Sequence, residues 1–83
     1  MRILYFAWLR ERLNRGEETV SLPDDVRTVA ELMTWLSNRD EAAALAFENP
    51  KRIRAAVDEE LAPLTASIVG ARTVALFPPM TGG

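Results

Sequence analysis

The C-terminal residues carry the clearest chemical pattern in this sequence. The chain ends Pro78-Pro79-Met80-Thr81-Gly82-Gly83, with two prolines at the start of the segment and two glycines at its end. Glycine has no Cβ, so a Gly-Gly terminus can pass through a channel too narrow for other residues. The prolines hold the base extended, which lowers the entropy lost on threading. Six extended residues reach about 20 Å, which predicts delivery of the terminal carboxylate into another protein's active site.

The terminal carboxylate needs activation before it can react. A C-terminal carboxyl group has a pKa of about 3.3–3.7, so it is ionised at neutral pH and is a poor electrophile. An acyl-adenylate is the natural activated form. The chain has no glycine loop of the kind that cradles phosphates, so we expect a partner to carry out the activation. The alternative explanation of the pattern is a frayed terminus, or glycines left by cloning.

The composition excludes several other kinds of site. The 83 residues suffice for one domain and leave little room for a deep catalytic pocket. There is no cysteine and no histidine, which excludes disulfides, thiolate nucleophiles and metal sites of thiolate or imidazole. The net charge of −2 does not favour nucleic acid or an anionic membrane. No segment approaches the ~20 apolar residues of a membrane span. We expect a cytoplasmic protein with no bound metal or cofactor.

The apolar pattern predicts the strands of a small α+β domain that positions this tail. A short polar turn is predicted at 58–60, and the tail begins after the last strand. The segments rich in β-branched, aromatic or alternating apolar residues are 2–8, 18–22, 53–57 and 73–77, with a short return strand at 61–62. The first and last strands are the most apolar, so we expect them to be central and adjacent. The first hairpin is predicted to be antiparallel.

The helices are predicted from capping residues and from the spacing of apolar side chains. Thr28 and Glu31 match a capping box, and apolar residues then recur at helical spacing until about Asn38. A helical turn at 9–13 and a second helix at 41–47 are shorter candidates. The resulting architecture is a mixed sheet of four to five strands with one main helix on one face. Residues 1–77 form this domain, and residues 78–83 form a flexible tail.

The alternation of side chains in the two central strands predicts a second apolar surface. Both faces of these strands are apolar, with Ile3, Tyr5, Val74 and Leu76 on one and Leu4, Phe6, Ala75 and Phe77 on the other. A sheet with its helix on one face needs only one apolar face. Either a loop or the 41–47 segment covers the second face, or that face is a protein-binding patch near the tail. We expect Phe6 and Phe77 to lie side by side, opposite the main helix.

Other charged and aromatic groups are better explained as ordinary structure. The acidic run at 58–60 is interpreted as a solvated turn. The basic run of Lys51, Arg52 and Arg54 is interpreted as a solvated strand edge. Trp8 and Trp35 are interpreted as packing residues.

The last eight residues resemble the C-terminal end of the molybdopterin synthase small subunits, the sulfur carriers of molybdenum-cofactor biosynthesis. Members typically end in a strand, two prolines, a variable pair and Gly-Gly. Further similar segments are Leu4-Tyr5-Phe6-Ala7, Leu9-Arg10-Glu11, Thr28-Val29 and Ala55-Ala56-Val57. The sequence departs from the family at residues 67–73, which contain no acid where members often carry an acidic turn.

The resemblance implies a ubiquitin-like β-grasp fold and a carrier subunit that is not a catalyst by itself. An ATP-using, ubiquitin-activating-like adenylyltransferase would adenylate the carboxylate of Gly83, which would then become a thiocarboxylate. Gly82 has no side chain and would leave the tail room to pass into the partner's site. The synthase large subunit would use the sulfur to build the dithiolene of molybdopterin. Partner-binding positions implied by the same resemblance are Phe6, Leu61, Phe77, Pro78, Pro79, Met80 and Thr81.

Three alternatives stay open at this point. The chain could carry sulfur for thiamine synthesis or tRNA thiolation, although such relatives generally lack the Phe-Pro-Pro approach to Gly-Gly. It could be a protein modifier joined to lysines through Gly83, although its single lysine, Lys51, gives self-linked chains one side-chain attachment point. It could also be a plain binding module with an incidental tail.

Overall fold

A computed structural model describes residues 1–79 of the chain. The strands are β1 (Arg2–Tyr5), β2 (Glu17–Thr19), β3 (Arg54–Val57), β4 (Glu60–Ala62) and β5 (Thr73–Phe77). The helices are α1 (Trp8–Leu13), α2 (Val29–Ser37) and α3 (Glu41–Ala46), and a single 3₁₀ turn spans Pro50–Arg52. The predictions made for residues 80–83, including their flexibility, lie outside the described residues.

The strands form one mixed five-stranded sheet with the order β2-β1-β5-β3-β4. β1 and β5 are parallel neighbours, while β1–β2, β3–β4 and β3–β5 are antiparallel pairs. The predicted adjacency of the first and last strands is therefore confirmed, and so is the antiparallel first hairpin. β5 occupies the centre of the sheet, so the segment that leads into the C-terminus starts from the middle of the fold.

Several strand boundaries differ from the sequence prediction by one to three residues. β1 ends at Tyr5 and not at Trp8, because Ala7 has a φ of 54° and turns the chain into α1. β2 ends at Thr19 and not at Leu22. The Val20 amide still donates to the Met1 carbonyl at 2.9 Å, and the chain then leaves the edge of the sheet. β3 starts one residue later than predicted, because the 3₁₀ turn precedes it.

The main helix begins and packs as predicted. The Thr28 hydroxyl accepts a hydrogen bond from the Glu31 amide at 3.2 Å, and the Glu31 carboxylate accepts one from the Thr28 amide at 3.0 Å. This reciprocal pair is a capping box. The buried residues of α2 are Val29, Leu32, Met33 and Leu36. The Asp40 carboxylate likewise caps α3 by accepting from the Ala43 amide at 2.8 Å.

All three helices pack on the same side of the sheet. Their inward side chains form one core with Ile3, Tyr5, Val74 and Leu76, each of which is at most 1% exposed. Phe47, which follows α3, belongs to that core as well. The 41–47 segment therefore lies beside α2 and does not cover the opposite face. A mixed sheet of this order with its main helix across one face is the ubiquitin-like β-grasp fold. No helix within residues 1–79 is long and apolar enough to cross a membrane.

Candidate partner-binding face and the root of the tail

The face of the sheet opposite the helices is apolar at its centre. The register pairs Leu4 with Ala75, Ala75 with Ala56, and Ala56 with Leu61, so these side chains form a row across four strands. The two alanines in the middle of this row have short side chains, so the surface is lower there than at the leucines at its ends. We call this surface the open face, and its apolar members are Leu4, Phe6, Ala56, Leu61, Ala75 and Phe77.

Large apolar side chains of the open face remain in contact with solvent. Phe6 is 49% exposed and Leu61 is 78% exposed, whereas Phe77 is half-buried. Within residues 1–79, the other large apolar residues with high exposure are Leu45 and Val69. Exposed aromatic and aliphatic groups contribute little to the folding of the free chain, and a concentration of them marks a surface suited to another protein.

Phe6 and Phe77 are neighbours on the open face. Tyr5 is paired with Leu76 in the parallel ladder, and the Phe6 amide donates to the Leu76 carbonyl at 3.1 Å. The next position along both strands therefore places Phe6 beside Phe77, as the alternation of the sequence predicts. Val74 and Leu76 are buried on one face of the sheet, while Phe6 and Leu61 on the other face are exposed, so the second apolar face is not fully covered in the described chain.

The C-terminal segment leaves the sheet from this same surface. Phe77 is the last residue of β5, and the half-buried Pro78 and Pro79 follow it without regular secondary structure. Of the residues implied in the site, Phe6, Leu61, Phe77, Pro78 and Pro79 are thus described, and the first three share the open face. Met80, Thr81, Gly82 and Gly83 lie outside the described residues.

Polar residues lie near both ends of the open face along β5. At one end the Arg2 guanidinium and the Glu17 carboxylate form an ion pair at 2.6 Å. Arg54 lies directly across from Phe77 in the β3–β5 register, and its side chain is exposed. An apolar centre with charged borders has the anatomy of a protein–protein interface.

The turn between β3 and β4 holds the start of β5 in place. The Asp58 carboxylate accepts hydrogen bonds from the Thr73 amide at 2.9 Å and the Arg72 amide at 2.8 Å, and the Asp58 amide donates to the Thr73 carbonyl at 2.9 Å. Asp58 and Glu59 both have positive φ, 48° and 73°. The sequence interpretation of an exposed turn is correct, but it missed this contact. Asp58 thus supplies a carboxylate to the end of the segment at 67–73, which contains no acidic residue of its own.

The hydrogen bonds to Asp58 predict a pH-dependent contribution to stability. The Thr73 amide, and after it the Arg72 amide, lower the pKa of the Asp58 carboxyl below its usual value. A lowered folded-state pKa means that the stabilisation is complete above the unfolded pKa of about 3.9 and is lost as pH falls through the folded value. We expect Asp58→Asn to lower the melting temperature at neutral pH and to flatten its decline as the pH falls below about 4.

Thermal unfolding followed by circular dichroism across this pH range measures the effect. Glu59→Gln is the matched control, because it removes a carboxylate from the same turn that accepts no hydrogen bond within residues 1–79. If the melting temperature falls equally with decreasing pH in Asp58→Asn and in the unmodified chain, the assigned role of Asp58 is contradicted.

A second polar network lies on the helix side of the sheet. The buried Tyr5 hydroxyl donates to Glu18 at 2.6 Å, and the same carboxylate accepts from Arg39 at 2.8 Å and Arg15 at 3.3 Å. Burial, followed by the bond to Glu18, raises the pKa of Tyr5. For Glu18, burial alone would raise the pKa, but the bonds from Tyr5 and Arg39 outweigh it and lower the pKa. The network joins β1, β2 and the segment that follows α2, so its role is structural.

Outside the open face, the described chain has a groove at the opposite end of the sheet. Within residues 1–79, no three acidic side chains are grouped closely enough to hold a metal ion. The groove, of about 650 Å³, lies at the Met1 end of the sheet, away from the tail, with Asp24 and Arg27 as its charged lining residues. Within residues 1–79, the candidate functional site is the open face at the root of the C-terminal segment.

A β-grasp domain with an apolar open face beside its C-terminal segment defines a ubiquitin-like protein. Residues 3–83 match the ThiS family over nearly the whole length, and the chain belongs to that family. The resemblance to small sulfur carriers drawn from the sequence is confirmed by this match and by the relatives that follow.

Several characterised relatives are similar over their full length. The molybdopterin synthase sulfur carrier subunits of Haemophilus influenzae and Escherichia coli K12 are each 32% identical over 83 residues, covering 100% of this chain and 99% of the relative. The subunit of the same name from Mycosarcoma maydis is 32% identical over 87 residues, covering 100% of this chain and 92% of the relative.

Solved structures agree with the fold. The crystal structure of SAMP1 from Haloferax volcanii superposes with a TM-score of 0.70 at 25% identity, covering 99% of this chain and 97% of that one. A Pyrococcus furiosus protein described as subunit 1 of a molybdopterin converting factor gives a TM-score of 0.61 at 20% identity, with 95% of each chain covered. The second likeness supports the fold alone.

Proposed function

We propose that this chain is the sulfur carrier subunit of a molybdopterin synthase. The observation that carries the proposal is the full-length similarity to subunits of that name in three organisms. The apolar open face at the point where the C-terminal segment leaves β5 supports it. In this proposal the chain contributes a docking surface and a reactive terminus, and its partners contribute the catalytic groups.

The terminal carboxylate of Gly83 is the group that reacts. An adenylyltransferase of the ubiquitin-activating type transfers AMP from ATP to this carboxylate, with release of pyrophosphate. A sulfur donor then displaces AMP and leaves a thiocarboxylate. Gly82 has no side chain to obstruct the channel through which the terminus passes. The prolines at the base restrict the backbone to extended conformations, which lowers the entropy lost when the terminus is threaded.

The large subunit of the synthase is the proposed recipient of the sulfur. It binds the open face through Phe6, Leu61 and Phe77 while the segment from Pro78 to Thr81 lies in its channel. The thiocarboxylate sulfur then enters the dithiolene of molybdopterin, and Gly83 returns to the carboxylate form. The cytoplasmic location expected from the composition belongs to the same proposal.

Mass spectrometry of the chain purified from its own cells distinguishes this function from a protein modifier. We expect a fraction of molecules in which one terminal oxygen is replaced by sulfur and which react with a thiol-specific label. Accurate mass is needed, because oxidation changes the nominal mass by the same amount. Isopeptide-linked adducts through Gly83, in the absence of any thiocarboxylate, would contradict the proposal and support the modifier.

A further inference from the structure

Three basic residues form an exposed strip beside the root of the C-terminal segment. Lys51 and Arg52 belong to the 3₁₀ turn before β3, and Arg54 is the first residue of β3. All three are exposed. We call Lys51, Arg52 and Arg54 the basic strip. Arg54 is the cross-strand partner of Phe77, so the strip continues the open face at the position where β5 ends.

The basic strip has no ionic partner within residues 1–79. The ion pairs of this part of the chain are formed by Arg2, Arg15 and Arg39, each with a glutamate. Glu48, the acid that precedes the strip most closely in the sequence, makes no salt bridge to it. The three cations therefore form no ion pair that would stabilise the described fold.

The charges at the two ends of β3 have opposite sign. β3 carries the basic strip at the end near Phe77, and the acidic run at 58–60 follows its other end. Four residues of strand span about 13 Å, which exceeds the Debye length of about 8 Å at physiological ionic strength. A partner that approaches the open face at the Phe77 end therefore meets mainly the positive charge.

We propose that the basic strip steers the synthase large subunit onto the open face, and that an acidic surface of that subunit lies against it. The inference rests on the proposed function. Exposed charges at the border of an interface alter the association rate more than the dissociation rate. A carrier must leave the enzyme that activates it and then find the synthase. Steering suits this cycle, because it speeds binding without prolonging the complex.

Association kinetics of charge variants test the steering. Lys51→Gln, Arg52→Gln and Arg54→Gln are combined in the full chain, and binding to the large subunit is followed by stopped-flow fluorescence at low and high salt. We expect the association rate constant to fall about tenfold at low salt, with the dissociation rate changed less than about twofold. The difference should disappear near 1 M salt, where the Debye length is about 3 Å.

A pair of single variants controls for net charge. Arg54→Glu and Arg72→Glu change the charge equally, at opposite ends of the sheet, and neither arginine forms a side-chain salt bridge within residues 1–79. Steering predicts that Arg54→Glu slows association more than Arg72→Glu does. Equal slowing by both, or an unchanged association rate in the triple variant, overturns the role of the strip. Failure of the unmodified chain to bind the large subunit overturns the proposed function, and the strip proposal with it.

Discussion

We expect deletion of Gly83 to abolish sulfur transfer and to leave the fold intact. Each extended residue spans about 3.3–3.6 Å, so the shortened terminus stops one residue short of the partner's reacting groups. A misplacement of about 1 Å can cost about 100-fold in rate, and we expect a larger loss here. The core is built from residues 3–76, so the melting temperature should not change. Addition of one residue after Gly83 should be equally damaging.

Product formation with the large subunit, together with thermal unfolding, measures both parts of this expectation. Thr81→Ser is the matched control, because it changes a side chain of the same segment and preserves the length of the chain. Its rate of product formation should stay close to that of the unmodified chain. Full activity of the protein without Gly83 would show that the carboxylate does not act at a fixed depth, and the carrier function would be wrong.

We expect Phe77→Ala to weaken binding to the large subunit far more than it weakens the fold. A central aromatic anchor of an interface contributes about 2 kcal/mol or more when truncated to alanine, which is about 30-fold in affinity at 1.4 kcal/mol per decade. Phe77 is half-buried in the free chain and faces away from the helices. Its loss should therefore destabilise the domain by less than the ~3–5 kcal/mol of a buried phenylalanine.

Two control variants separate binding from folding. Leu76→Ala removes a side chain that is 0% exposed and should cost about 2–5 kcal/mol of stability. Leu45→Ala removes a side chain that is 60% exposed on α3, away from the open face, and should change neither stability nor affinity much. If Phe77→Ala unfolds the domain and leaves the affinity of the folded fraction unchanged, Phe77 is a core residue and the open face is not the docking surface.

The parts of the fold that depend on neighbouring residues could be predicted from the sequence. Side chains alternate along a strand with a period of two, so Val74 and Leu76 had to share one face and Phe77 the other. The capping box of α2 joins Thr28 and Glu31, which are three residues apart. The same local rule predicted two apolar faces, but it left open whether a loop or the 41–47 segment covers the second one.

The features that the sequence did not reveal depend on distant residues or on unusual backbone angles. β1 ends early because Ala7 adopts a φ of 54°, a conformation that alanine rarely takes and that its residue type does not signal. Asp58 bonds to amides 14 and 15 residues away, a distance that no local pattern encodes. The packing of the 41–47 segment beside α2 was likewise decided by tertiary contacts.

The transfer of sulfur from Gly83 tests the central claim most directly. The chain bearing a C-terminal thiocarboxylate is mixed with the large synthase subunit of the same organism and the cyclic pyranopterin precursor, and both the thiocarboxylate and molybdopterin are quantified over time. We predict that molybdopterin forms and that one thiocarboxylate is consumed for each sulfur atom of the dithiolene. A thiocarboxylate that persists in the assembled complex, with no molybdopterin formed, would contradict the account.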